Sequence, residues 1–439
     1  MSSTTASHPV PAGRLNLDFW KFWTGETISS LGTSFTQFAL PLLVFKLTGS
    51  PLNLGISTAA EMLPYLFFGL VIGAWVDRLD RKLLMIVVDV LLAASVASIP
   101  VVYLLGHLSV WWIYGVGFLS STLNIFFQSG QFAAIPSLVG QDDLVTANGR
   151  IQASFSTAQI IGPLLAGALL FLLPLPTLMF FDAGSFLVSA LTLSLIRKSF
   201  NTSEERAKTS IRQDVIEGLR YVLRHPVLRN ISAMMALVNF ISTTVFTQLV
   251  LFAIVVYHAD SRQISLFYSA GSLGVVVLSL LAGPLRKRWS FSRVALSALM
   301  LEGLLTIALA FTPWYWLAVP IWAVSSGLGI LFNINTMSLR QAIVPNHLLG
   351  RIISIAGVLA WSAIPLGAFL GGLFISWVGK SHVALVYAGI GLITFLIPLG
   401  FFFTALGHAE RYLPKKEPEG AEVAQAAALE ATQEEIASA

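Results

Sequence analysis

Five acidic side chains interrupt long apolar runs of this chain: Glu26, Glu61, Asp89, Asp182 and Glu302. A carboxylate at the centre of a membrane helix costs about 2.5 to 3.5 kcal/mol on insertion scales, so each is retained against a penalty and invites a reading as a group that takes up and releases protons. Counting about 1.5 Å per residue from the nearest polar break puts Glu26 and Asp89 in the half of the membrane nearer the amino terminus. Glu61 and Asp182 then fall in the opposite half, and Glu302 near mid-depth. Glu26 carries extra weight, because Glu26, Ser30, Thr33 and Gln37 are spaced by four, three and four and share one helical face. Such a stripe suits the wall of a watery cavity. Ser121, Asn124, Gln128 and Gln131 form a second stripe, Asn239 and Thr243 a third, and Ser326 and Asn333 a fourth. Helix-to-helix hydrogen bonds, worth roughly 0.6 to 2 kcal/mol each, account for most other Ser, Thr and Asn positions. The proton-coupling candidates are therefore Glu26 first, then Asp182, Glu61 and Glu302. Asp89 has another use, pairing with the basic residues between Arg78 and Lys82 to lock one conformation.

The elements that must position these groups follow from composition. With 439 residues, 56% hydrophobic and 11% charged, the chain lies far from the roughly 25% charge of soluble domains. Its mean hydropathy of +0.78 reflects apolar runs long enough to cross about 30 Å of hydrocarbon. Their boundaries predict spans near 19–45, 53–76, 83–105, 109–134, 153–173, 177–196, 230–256, 264–285, 293–312, 314–338, 352–378 and 383–407. An all-α membrane protein of twelve helices in two six-helix bundles is expected. The first span is long and holds Glu26 and Gln37, so it reads as a retained helix and not a signal peptide. If the amino terminus is cytoplasmic, only Lys46, Arg262 and Lys380 of the 26 Lys and Arg residues lie outside, and both termini are cytoplasmic in a multi-pass protein of the cell (inner) membrane. The net charge of +4 thus reads as topology within a lipid bilayer, with no nucleic acid as partner. Without cysteine there is no disulfide or thiolate metal site, and all seven histidines fall in loops, tails or span ends; neither a metal nor a cofactor is implied.

Residues 1–18 form a polar leading segment, 19–196 the first bundle and 230–407 the second. The linker, 197–229, places Ile211, Val215, Leu219 and Val222 on one face, as in a helix lying along a membrane surface. Residues 408–439 read as a mobile tail rich in Ala and Glu. An internal repeat supports the halves: Asn124 precedes Pro136 by twelve residues and Asn333 precedes Pro345 by twelve, and the segments Gly149-Arg150-Ile151 and Gly350-Arg351-Ile352 follow.

The connection GAWVDRLDRK carries Gly73, Asp77, Arg78, Arg81 and Lys82, with Asp80 where a second glycine is usual. It resembles the loop signature of the major facilitator superfamily, in which these residues govern conformational change together with Asp89 at the start of the third span. The stretch IIGPLLAG, with Gly162, Pro163 and Gly167, is similar to an element of superfamily antiporters, and Pro163 with its glycines can bend where the halves meet. EGLRYVLRHPVLR and SLGTSFTQFALPLLVFKLTGSPLNLG resemble the branch that contains macrolide efflux proteins and the enterobactin exporter. The resemblance implies a secondary transporter, a monomer and not an enzyme, that exports amphipathic small molecules such as macrolides by alternating access in exchange for protons. It also implies that the first, fourth, seventh and tenth helices line a central substrate cavity, where the four stripes lie. No Arg occurs in the fourth span between Val110 and Ala134, so the relay arginine of many drug antiporters has no counterpart there. A dedicated exporter of one metabolite such as a siderophore, or a non-transporting membrane scaffold, is the alternative. No H-E-x-x-H, G-x-S-x-G or nucleotide-binding loop is present to support an enzyme.

Overall fold

The computed structural model describes residues 16–76, 79–139, 143–200, 211–344 and 346–412. Asp77 and Arg78 of the loop motif lie outside the described residues, as do the first fifteen residues, part of the linker and the tail beyond Tyr412. Among the described residues the regular structure is helical throughout, without a strand.

Helix α1 (Leu17–Thr48) begins where the Asn16 side chain accepts the Phe19 N–H and ends at Gly49, whose φ of 58° only glycine adopts freely. Pro51 opens α2 (Pro51–Val76), as suits a residue lacking an N–H. Asp80 accepts the Leu83 N–H at 2.9 Å and thereby caps α3 (Arg81–Leu104), which is the use this chain makes of the acid at the motif's glycine position. There follow α4 (Val110–Leu138), α5 (Leu144–Leu169) and a short turn at Leu175–Leu178 leading into α6 (Met179–Ser194). The linker forms α7 (Ile211–Arg224), and the second half comprises α8 (Pro226–Thr247), α9 (Leu249–Tyr257), α10 (Ser261–Arg288), α11 (Phe291–Phe311), α12 (Tyr315–Ile343), α13 (Asn346–Trp361), α14 (Ala363–Val378) and α15 (Val383–Phe402). Asp260 and Gln263 form a reciprocal capping box at the start of α10.

Ten of these segments are long and apolar enough to cross a bilayer, counting α13 with α14 as one. Helices α2 and α5, 26 residues each and so about 39 Å long, cover the other two expected spans. Two spans expected as single helices are broken. The seventh divides at Gln248, and the eleventh at Ser362, where Pro365 cannot donate to the Trp361 carbonyl one turn back.

The packing repeats with two-fold character. In the first half α1 packs on α5 and α6, α2 on α4, and α3 on α4 and α6; in the second, α8 packs on α14 and α15, α10 on α12, and α11 on α12 and α15. Between halves the broad contacts are α2 on α14 and α5 on α10, which exchange under the same two-fold. The close approaches that hold them lie toward one end of the bundle. Gly372 sits so near the Pro51 carbonyl that a Cβ would be 2.6 Å from its oxygen, and Gly55 meets the Ala368 carbonyl as tightly. Gln248 donates to the same Pro51 carbonyl at 2.8 Å, and the Arg262 guanidinium lies 3.0 Å from the Phe171 ring centroid. This end carries the connections 49–50, 170–174 and 258–260; the opposite end carries α7 and residues 16 and 412, the chain ends of the described structure. At the end of α7, Val222 is buried with Leu228, Val344 and Ile352, so this end of the helix packs on α8 and α13 of the second half.

Candidate transport site

On the first-helix stripe, Glu26, Thr33 and Gln37 each acquire a partner that sequence distance conceals. The Glu26 carboxylate accepts a hydrogen bond from Gln131 Nε2 at 2.7 Å, joining the ends of two stripes 105 residues apart. Glu26 is half-buried, and Asp89 on α3 is near enough for its charge to act on it. Thr33 Oγ1 donates to Asp182 Oδ1 at 3.2 Å. Gln37 is exposed and accepts from Gln159 Nε2 of α5 at 2.8 Å. Ser30 is half-buried between Glu26 and Thr33.

Asp182 and Glu61 converge. Both line one cavity of about 240 Å³ between α1, α2, α3, α4 and α6, together with Thr33, Gln37, Tyr65 and Asn124 and the apolar Met62, Ile99 and Phe186. Ser57 reaches Glu61 Oε1 at 3.5 Å, the Ser121 hydroxyl donates to the Glu61 backbone carbonyl, and Gln128 donates to the Tyr65 hydroxyl at 3.2 Å. The acids therefore form two stations on α1. Glu26 with Asp89 lies toward the chain-end side, and Asp182 with Glu61 lies about seven residues, or roughly 10 Å, along the helix.

The stripes of the second half do not join this cavity. Asn239 Nδ2 donates to the Ala360 carbonyl at 2.9 Å, tying α8 to α13. Thr243 is half-buried and Asn333 exposed. The pocket that holds Glu61 and Asp182 is lined by residues of the first half, whereas Asn239 is engaged by its own half. Glu302 is buried between α11 and α12, with Gly329 beside it and no partner for Oε2 among the described residues.

The expected pairing of Asp89 with the basic loop is not what Lys82 does. Lys82 Nζ donates to the Ile196 carbonyl, and Arg81 reaches the Phe200 carbonyl at 3.2 Å, so both cations tie the loop to the end of α6. Asp89 lies eight residues on, about 12 Å up α3, with Ser189 as its hydrogen-bond partner and Oδ2 without one among the described residues. Gly73 falls in α2. In α5, Gly162 receives the Ser34 side chain of α1 and Gly167 receives Ser265 of α10; Pro163 is accommodated within a continuous helix.

Arg340 is a membrane-helix cation that span counting conceals, since the expected tenth span stops at residue 338 whereas α12 continues to Ile343. It is 5% exposed; Nη2 contacts Met235 Sδ at 3.1 Å and Nε has no partner among the described residues. The repeat contains the missing signal, because Met235 and Arg340 each lie 209 residues after Glu26 and Gln131.

Comparison with known proteins agrees with this architecture. The Major Facilitator Superfamily model matches residues 22–362 and 240–433, and the chain belongs to that superfamily. It is a multi-pass membrane transporter of small molecules, not an enzyme. Among its relatives, Macrolide efflux protein A of Streptococcus pyogenes is 24% identical over 370 residues, 83% of this chain and 91% of the relative. The Multidrug efflux pump Tap of Mycolicibacterium fortuitum is 28% identical over 362 residues, covering 78% and 85%. Among solved structures, a bacterial homolog of the human lysosomal transporter Spinster, in an inward-facing unoccupied conformation, superposes with a TM-score of 0.70 at 14% identity, covering 91% of this chain and 98% of that one. The nucleoside transporter NupG superposes with a TM-score of 0.72 at 14% identity, covering 88% and 100%. At such identities the structures speak for the fold alone.

Proposed function

We propose that this protein exports amphipathic small molecules, macrolide-like drugs among them, from the cytoplasm in exchange for protons, by alternating access between its two halves. The observation that carries the reading is the pocket of the first half that Glu61 and Asp182 line together with apolar walls, one stretch along α1 from Glu26 and its Gln131 partner. In this reading Glu26 is the coupling carboxylate. It is half-buried and hydrogen-bonded by an amide that serves either protonation state, since Gln131 offers both donor and acceptor. Glu61 and Asp182 recognise the polar part of the cargo while Met62, Ile99 and Phe186 receive its apolar part.

Closure at the end that carries Pro51 and Gly372 supports a resting form open toward the chain ends. The concentration of Lys and Arg on that side supports assigning it, with both termini, to the cytoplasm of the cell (inner) membrane. The names of the relatives support a drug as cargo. Proton and cargo must then favour opposite occupancy states, which is the energetic content of exchange.

Export from cells tests the reading. Cells expressing the chain should retain less macrolide or cationic dye than cells expressing Glu26→Gln at equal membrane levels, and a proton uncoupler should remove the difference. Equal retention by both proteins would oppose the coupling role of Glu26; equal retention by cells without the protein would oppose export itself.

A further inference from the structure

The two halves carry opposite charges within equivalent residue pairs. Helix α1 runs from Leu17 to Thr48 and α8 with α9 from Pro226 to Tyr257, each limit displaced by 209 residues. The same displacement carries Asn124 to Asn333, Glu26 to Met235 and Gln131 to Arg340. The structure pairs these residues alike in space: Gln131 contacts Glu26 in the first half, and Arg340 contacts Met235 in the second. Helix packing is two-fold as well, so the pairs lie at equivalent depth on opposite sides of the axis between the halves. One pair ends in a carboxylate, the other in a guanidinium that is 5% exposed, meets the Met235 thioether and, among the described residues, leaves Nε unmatched. Leaving an arginine so poorly paired is costly, and a conformation that gives it a carboxylate recovers that cost.

We propose that Arg340 is a coupling residue of the transport cycle, positioned to pair with Glu26 when the halves close at the chain-end side. The proposal rests on the export reading above. Closing that end moves the two equivalent pairs toward the axis and hence Glu26 toward Arg340. Ionised Glu26 gains a partner and favours closure; protonated Glu26 gains none and favours opening. Proton arrival from outside thus releases the closed end, and proton loss to the cytoplasm restores the attraction.

The surroundings leave this pair as the salient opposite charges. Glu26 faces Asp89 from α3, Gln131 from α4 and, nearer the chain ends, Arg150 of α5, whose guanidinium is stacked 4.6 Å from the Trp20 ring. On the other side Arg286, Arg288 and Arg293 at the adjoining ends of α10 and α11 are basic like Arg340, and Glu410 is engaged by the Ser292 hydroxyl and N–H. A purely structural role, a cation against the C-terminal dipole of α12, would make Arg340 indifferent to the state of Glu26.

The chain has no cysteine, so introduced pairs report cleanly. Spin labels at Asn148→Cys and Lys287→Cys, at the chain-end side of α5 and α10, should separate as the pH of the full-length protein in lipid falls from about 8 to about 6. Arg340→Gln should abolish this shift, as should Glu26→Gln, while Arg340→Lys preserves it. Arg340→Met, which fills the same space beside Met235, serves if the glutamine variant does not insert. A wild-type pH shift retained in Arg340→Gln or Arg340→Met overturns the pairing while leaving proton-coupled export intact. Absence of any shift in the unmodified protein, with no cargo-dependent proton flux, overturns both. As a direct test of approach, Glu26→Cys with Arg340→Cys should crosslink under oxidation in the closed state; failure to crosslink, when labels elsewhere report closure, overturns the proposal.

Discussion

Replacing Gly372 by Ala should open the end of the transporter that is closed in this structure. The added Cβ would stand 2.6 Å from the Pro51 carbonyl oxygen, 3.2 Å from Leu52 Cα and 3.3 Å from Gln248 Nε2. Two of those atoms belong to backbone of the other half and cannot swing aside, so α2 and α14 must separate by several tenths of an ångström. Overpacking of this kind costs about 1 to 3 kcal/mol. The gain of about 1 kcal/mol in helix propensity from Gly to Ala applies to both conformations and cancels. Because the contact exists only when this end is closed, the cost falls on one state and shifts the equilibrium by roughly 5- to 150-fold. Gly55→Ala, against the Ala368 carbonyl, should act in the same direction, and the two costs should be less than additive because both relax through the same separation. Spin labels at Lys46→Cys and Ser261→Cys, which face one another across the pocket at this end, read the result as a growing population of longer distances. An unchanged distance distribution in a correctly inserted Gly372→Ala protein would refute the argument that this contact holds the end shut.

Three further perturbations follow from named contacts. Removing the Arg262 and Phe171 contact with Arg262→Ala should favour opening of the same end by about 0.5 to 2 kcal/mol, read with the same labels; a distribution identical to the parent would mean the stacking adds nothing. Asp80→Ala removes the cap of α3 and should cost about 0.5 to 2 kcal/mol, lowering the melting temperature in detergent, whereas Asp80→Asn should be nearly silent. His225, at the junction of α7 and α8, has its pKa held below the ordinary 6.5 by burial, and its Nδ1 accepts the Leu228 N–H. The unfolded chain therefore binds the proton first, and stability at this junction is full above about pH 6.5 and is lost as pH falls through the lowered value. Hydrogen exchange at the start of α8 should accelerate on acidification and lose that pH dependence in His225→Asn; identical pH profiles for the two proteins would contradict it.

Much of this arrangement is legible in the sequence because membrane helices expose their periodicity. The spacing from Glu26 to Gln37 defines a face without knowledge of any neighbour, and the structure keeps that face polar and partnered. Apolar length locates the spans, but it cannot locate breaks made by tertiary contact. Gln248 interrupts its span while its side chain reaches across to Pro51, a partner 197 residues away. Likewise, periodicity shows Glu61 and Asp182 on separate helices, and only packing places them on one cavity. The amphipathic pattern of α7 reads as a helix along the membrane surface, and it does not anticipate that Val222 packs against Ile352 of α13. The fate of the basic loop depends on which carbonyls the fold leaves free, those of Ile196 and Phe200, which no local rule anticipates. Arg340 illustrates the converse, since the repeat in the sequence points to it more clearly than hydropathy does.

The most direct test of the account is cargo-driven proton movement in proteoliposomes holding the unmodified chain or Glu26→Gln. The account predicts that a macrolide moving down its own gradient drives protons the opposite way through the unmodified protein, and that Glu26→Gln still binds the macrolide but moves no protons. Proton movement that persists undiminished in Glu26→Gln, or macrolide flux through the unmodified protein with no accompanying protons, would contradict it.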